Sequence, residues 1–379
     1  FVRPPEPGKN PRRLLLVYLV GESPTYGVYK TAFLRAAHEV ATLRALLPPP
    51  LCRKCDGLRL LGPAFSGAAS SLEELLEHPA MRSLPFTIIS GRATDVAIQP
   101  QIQRHARPDR PVIFSATVIP DQALQTEFFC YLTETLGADD KDIAVLTEST
   151  TVYGQAAGQL PDAAPLPRKS TRCKNSHRPR LTLPVPLHVS RLNAAWAAQA
   201  KGSTKGSEKQ EPSGLFDQSL ERALPKMLDL SERTDVIPTL SSSTVAATDR
   251  ALATILTSID AEKIRYVGLI FTDEQDTIFL AEQVRKFAPD VVLFTFSSDI
   301  IYTHPELRSA LKGLLVVTPY PLFTRNQQWS YPFHGYTHRI QFSRDADQGV
   351  YNAAVALLDR PDLMIEYSQP VGSEDKVPQ

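Results

Sequence analysis

Side chains able to bind a small charged molecule recur where short apolar runs of strand character give way to polar residues. Ser66 follows the run Leu58 to Leu61, Ser90 and Thr94 follow Phe86 to Ile89, and Ser115 and Thr117 follow Val112 to Phe114. Tyr26 comes after Leu14 to Val20, Tyr153 after Ile143 to Leu146, and Asp273 and Glu274 after "YVGLIFT". A hydroxyl beside the free N–H groups of a helix start suits a carboxylate or phosphate. The two acids suit an ammonium group, so the set as a whole fits a zwitterion. Each residue also has a plainer use. Ser90, Thr94 and Thr117 fit as helix caps, and Asp273 and Glu274 fit as acids at the positive end of a helix dipole.

Signatures of catalysis are scarce. The sequence has no GxSxG, GxxxxGK[ST] or HExxH, and no GxGxxG follows the first apolar run. In "LHVSR", His188 stands two residues before Ser190, a spacing that makes no triad at a strand-to-helix junction. Cys52 and Cys55 form a lone CxxC, which reads as a loop disulfide or inert thiols, with half a zinc site or a redox pair as the alternatives; zinc would want a second pair. No catalysis, cofactor or metal is expected.

The elements that must position these residues alternate. Between the apolar runs lie amphipathic segments such as "PDQALQTEFFCYLTETLG", where Leu124, Phe128, Leu132 and Leu136 predict one apolar helical face, with Pro120 suited to its first turn and Gly137 to its end. Strand followed by helix implies a parallel sheet with right-handed crossovers, an α/β fold. The rhythm breaks at about 160–180 and 200–214, rich in Pro, Ser, Lys and Gly, which predict flexible insertions. It resumes with helix "TVAATDRALATILTSI", strand "KIRYVGLIFT", helix "EQDTIFLAEQVRKFA" and strand "DVVLFTF", and closes with helix "DADQGVYNAAVALLD".

With 379 residues, two lobes are the default expectation. Its 41 basic and 41 acidic side chains balance, which leaves no global field to draw nucleic acid or an anionic membrane. Leu14 to Val20 is far shorter than the roughly 18–20 apolar residues of a membrane span, so no span is expected. The first residue is Phe1 rather than Met, and the chain reads as part of a longer or processed product.

The stretches "FTIISGRATDVAIQ", "PVIFSATVIPDQALQ" and "IAVLTESTTVYGQ", with the order of elements, resemble the type 1 periplasmic binding proteins, especially the branched-chain amino-acid receptors of ABC transporters. Gly91 with Thr94, Ala116 with Thr117, and Tyr153 with Gly154 match the family's pattern, and the likeness runs from about Arg12 to Asp359 outside the insertions. It implies two doubly wound Rossmann-like lobes with an interlobe cleft, grouped as 11–118 plus 291–330 and 119–290 plus 346–359. It further implies a ligand carboxylate held by Thr94, Ser115 and Thr117, with Tyr153 and Asp273 or Glu274 facing them. Arg92 departs from the family, which often has a small residue there. The expected function is a receptor for an amino acid or related carboxylate in a periplasmic or extracytoplasmic setting, serving an ABC permease or a fused signalling module. The rivals are a two-lobed enzyme such as a glycosyltransferase and a degenerate receptor fold kept for protein contacts. A glycosyltransferase would want a Gly-rich pyrophosphate loop or a metal-binding acid pair.

Overall fold

Parallel strands cannot be joined by tight turns, so each apolar run must be succeeded by a crossover, and amphipathic helices supply most of these. The computed structural model describes residues 17–46, 57–82, 84–93, 95–157, 178–191, 242–320, 322 and 342–365. Thr94, Cys52, Cys55 and the two expected insertions, except for 178–180, lie outside the described residues. The described chain opens with a small antiparallel ribbon, β1 (Glu22–Ser23) and β2 (Gly27–Val28), and then α1 (Lys30–Leu46). Next come β3 (Leu58–Leu61), α2 (Ala68–Glu77), β4 (Phe86–Ser90), α3 (Ile98–Gln103) and β5 (Val112–Ala116). These three strands form a parallel sheet in the order β3-β4-β5.

After α4 (Asp121–Cys130) the chain enters a second sheet through β6 (Ile143–Glu148), α5 (Val152–Ala157) and β7 (Leu181–Val185). It continues with α6 (Ser242–Ala261), β8 (Tyr266–Ile270), α7 (Glu274–Phe287), β9 (Val292–Thr295), α8 (Arg308–Leu311) and β10 (Leu315–Val316). This sheet is parallel throughout, in the order β10-β9-β8-β6-β7. A last helix, α9 (Asp345–Leu357), closes the described fold. The protein is therefore α/β with parallel sheets, and no described helix is long and apolar enough to cross a membrane.

Every residue of β6 and β8 is buried, as central strands covered on both faces require. Alternation sends Ala144 and Leu146 into one core with Leu256, Leu280 and Val284, and Ile143 and Val145 into another with Phe128, Phe129 and Phe294. In the second core the Phe128 and Phe294 rings lie 4.9 Å apart, and Phe294 meets Phe296 edge to face at 5.9 Å.

Four sequence expectations differ from this arrangement. Val17 to Val20, the described part of the first expected strand, belongs to no strand; Val17 and Leu19 are 68% and 94% exposed, and Val20 packs on the core of the three-stranded sheet. The face expected of Leu124, Phe128, Leu132 and Leu136 is broken by a π-helical turn at Tyr131–Thr135. That wider turn shifts the phase of the helix, so Leu132 is buried while Leu136 is 41% exposed. Strands β9 and β10, expected with 11–118, pair beside β8 instead. The reason is local: β8, α7 and β9 form one crossover unit, and the short link Ala288 to Val291 returns the chain to the neighbouring position. Conversely α9, expected with 119–290, packs on β3 and β4.

That last contact depends on two glycines. A Cβ on Gly349 would lie 2.1 Å from the Gly91 carbonyl oxygen, so helix and strand end meet backbone to backbone. The Thr117 hydroxyl, beside them, donates to the Gly349 carbonyl at 2.9 Å. Gly349→Ala is expected to cost about 1–3 kcal/mol through overpacking. A urea titration should show a lower midpoint at unchanged slope; an unchanged midpoint would contradict the close crossing.

Candidate functional site

A cleft of about 110 Å³, open to solvent, is lined from the carboxyl ends of both parallel sheets. Open α/β sheets bind ligands at this edge because helix starts and loop side chains converge there. From the three-stranded sheet come Phe65 and Ser66 after β3, Arg92 after β4, and Val118 and Ile119 after β5. From the five-stranded sheet come Thr151 and Tyr153 after β6, Phe271, Thr272 and Glu274 after β8, and Phe296 and Ser297 after β9. Asp121 in the first turn of α4, Tyr320 after β10, and Asp345 in the first turn of α9 complete the polar lining.

The wall of the three-stranded sheet carries the positive charge. The Arg92 guanidinium stacks over the Phe65 ring at 5.4 Å from its centroid, an attraction of the cation–π kind. The turn that presents Arg92 is shaped by Ser90, whose buried hydroxyl donates to the Pro63 carbonyl at 2.8 Å and accepts from the Ala93 N–H at 2.8 Å. Glu22 fastens the turn bearing Phe65, accepting from the N–H groups of Ala64 at 2.9 Å and Phe65 at 2.8 Å. Burial raises its pKa above the ordinary value, against those two bonds and the nearby positive charge of Arg92.

The opposing wall is acidic. Burial raises the pKa of Glu274, opposed by its backbone bond and by Arg344, whose guanidinium is 3.9 Å away. Asp345 is also raised by burial, although it accepts from the Thr318 hydroxyl at 2.7 Å and from the Ser298 and Ala346 N–H groups at 3.0 and 2.7 Å. Behind the wall lies Glu148, with no exposed surface. It accepts from the Thr272 N–H at 2.6 Å, the Thr272 hydroxyl at 2.7 Å and the Thr151 hydroxyl at 2.7 Å. Thr151 in turn accepts from the Gly154 N–H at 3.0 Å. A Cβ on Gly154 would sit 2.2 Å from the Glu148 carbonyl oxygen, so only glycine lets α5 start this close to the strand end. Burial raises the pKa of Glu148, and burial with the surrounding carboxylates raises the Tyr153 phenol well above its usual value.

Of the residues singled out in the sequence, Ser66, Tyr153 and Glu274 line the cleft. Ser90 lies buried behind the Arg92 turn, and Thr117 is bonded to Gly349 outside the lining. Ser115 is exposed on β5, and Tyr26 is 47% exposed in the β1–β2 turn. Asp273 caps α7 by accepting from the Gln275 N–H at 2.9 Å, and it lies 3.4 Å from Arg191 and 3.7 Å from His188. Burial raises the Asp273 pKa, but the contacts with His188, the Gln275 N–H and Arg191 prevail and lower it. Thr94 lies outside the described residues. Sequence reasoning missed Asp121, Tyr320 and Asp345 as lining groups. Asp121 and Asp345 did carry one signal, an acid opening an amphipathic segment.

No family model matches the chain, and no curated protein matches it.

The buried acids dictate a pH response. Glu22, Glu148, Glu274 and Asp345 have raised folded pKa values, so the stability linked to their protonation is full below the ordinary carboxylate range and is lost as pH rises through those folded values. Glu73 has the opposite sign: burial raises it, but Gln101, His105 and Arg104 together bring it down to about 2. Its contribution is present at neutral pH and is lost as pH falls toward that value. The melting temperature is therefore expected to rise as pH falls from neutral toward the ordinary carboxylate range and to decline as pH falls further toward about 2. Glu148→Gln should flatten the rise. A steady fall in melting temperature from pH 8 to about 5 would refute the assignment.

Proposed function

We propose that the protein is a non-catalytic receptor that binds a small zwitterion, an amino acid or related carboxylate, in this cleft. The observation that carries the reading is the pairing of walls: Arg92 with Ser66 on one side, Glu274 and Asp345 on the other. A carboxylate meets a guanidinium and a hydroxyl, and an ammonium meets an acid, each through charge-assisted hydrogen bonds. Among the described residues no His, Lys or Cys lines the cleft to activate one of its hydroxyls, and Glu148 and Asp345 are each committed to three donors. Binding without bond-making suits that inventory.

On this reading the two sheets are the cores of two lobes that close on the ligand by hinge motion, in the manner of the type 1 periplasmic binding proteins. The connection Thr117 to Pro120 and the segment from Val317 to Tyr320 serve as neighbouring hinge strands, tied by the Tyr320 hydroxyl donating to the Thr117 carbonyl. Delivery to an ABC permease, or signalling through an attached module, is the corresponding role. An extracytoplasmic setting is supported by Cys130, which is held in a disulfide, a bond that persists in oxidising compartments.

A thermal-shift screen of free amino acids tests the reading, since a ligand at 100 times its Kd adds about 2.7 kcal/mol of stability. The expected result is a stabilising amino acid whose affinity falls about tenfold or more in Glu274→Gln, by about 1.5–3 kcal/mol. The deaminated analogue should lose much less. Equal losses for both would remove Glu274 as the ammonium site.

A further inference from the structure

Asn352, on α9 one turn after Gly349, has no exposed surface, and every hydrogen-bonding position of its amide that faces the fold is occupied. Its oxygen accepts from the Ile365 N–H at 2.8 Å, and its nitrogen donates to the Ile365 carbonyl at 3.0 Å and to the Tyr320 hydroxyl at 3.2 Å. An amide turned the other way would set donor against donor and acceptor against acceptor at Ile365, so only one orientation serves. Buried Gln348 adds a bond from its side-chain nitrogen to the same carbonyl at 3.2 Å. The Tyr320 hydroxyl in turn donates to the Thr117 carbonyl, and Tyr320 lines the cleft. A single side chain thus connects a wall of the cleft with the main chain at Ile365, which follows the short turn Pro361–Leu363 packed against α9.

We infer that Asn352 is a positioning residue that relays the state of the cleft to the main chain at Ile365. The inference rests on the receptor reading above and gives closure of the cleft an outlet at the other end of α9. Asn352 lies outside the cleft lining and acts through Tyr320. The one hydroxyl proton of Tyr320 is spent on the connection that runs from β5 toward α4, so a hinge movement there carries the hydroxyl with it. Asn352 follows, because a buried N–H that loses its acceptor is costly and, in a side chain without exposed surface, water cannot take the acceptor's place. The amide grips both the N–H and the carbonyl of Ile365, so the movement reaches the backbone there whatever side chain position 365 carries.

Amide hydrogen exchange of the full chain decides the matter, with Tyr320→Phe as the variant because it removes the hydroxyl and keeps the ring. Exchange of the Ile365 N–H is expected to quicken about fivefold or more in the variant while β6 keeps its protection. Unchanged exchange at Ile365 would overturn the relay, and so would equal acceleration in β6, which would mark general loosening. A second arm adds each of the twenty common amino acids at about 10 mM and takes forward any that raises the melting temperature. Such an amino acid should slow exchange at Ile365 in the unaltered protein and not in Tyr320→Phe. Slowing that persists in the variant, or its absence from both proteins, would overturn the relay and leave the receptor reading intact. If no amino acid raises the melting temperature the receptor reading fails, and the first arm still decides whether Tyr320 and Ile365 are coupled.

Discussion

A carboxylate with no access to water is expensive to bury, and its cost sets the geometry around it. Glu148 ends β6, the strand between β7 and β8, and its three donors come from two different places: Thr272 at the end of β8 and Thr151 at the start of α5. Satisfying that one acid fixes the register of two neighbouring strand ends and the take-off of a helix. Tyr153, Thr272 and Glu274 are then delivered to the cleft by backbone that has no freedom to drift. The polar cluster after an apolar strand is thus a structural knot whose outer surface forms one wall of the site.

The two walls are held by different means. On the three-stranded sheet, Glu22 and Ser90 are bound to backbone groups and only position the residues that face the cleft, Phe65 and Arg92. On the other side the lining acids Glu274 and Asp345 are half-buried, and desolvation raises the pKa of each. The chain as a whole is neutral. On the receptor reading proposed above, recognition would come from this local separation of sign and not from any long-range field.

Much of the secondary structure was legible in the sequence because periodicity is a local property. The runs that became β4, β6 and β8 and the amphipathic patterns of α6, α7 and α9 appear where the pattern placed them. Pairing was less legible. Which sheet takes β9 depends on the short return after α7, and where α9 packs depends on the meeting of Gly91 with Gly349, residues far apart in sequence. The π turn at Tyr131–Thr135 left no mark in the pattern of Leu124, Phe128, Leu132 and Leu136. At the site, hydroxyls after strands were visible, but their duties were not. Ser90 and Thr117 spend their hydrogen bonds on backbone carbonyls, and Asp273 spends its own on a helix start, whereas Glu274, one residue on, faces the cleft. Asp345 carried only the signal of an acid opening an amphipathic segment, and its place in the cleft follows from its helix packing on strands from the far end of the chain, a fact of tertiary packing.

The crossing of Gly91 and Gly349 makes a gauge of the site. Arg92 is the next residue after one glycine, and Asp345 lies one helical turn before the other. The backbone that carries the guanidinium and the backbone that carries the carboxylate are therefore joined through main-chain atoms in contact. Glu274 belongs to the other sheet and is not on that gauge. On the receptor reading proposed above, closure of the cleft would move Glu274 relative to Arg92 while the backbone bearing Arg92 and Asp345 stayed joined.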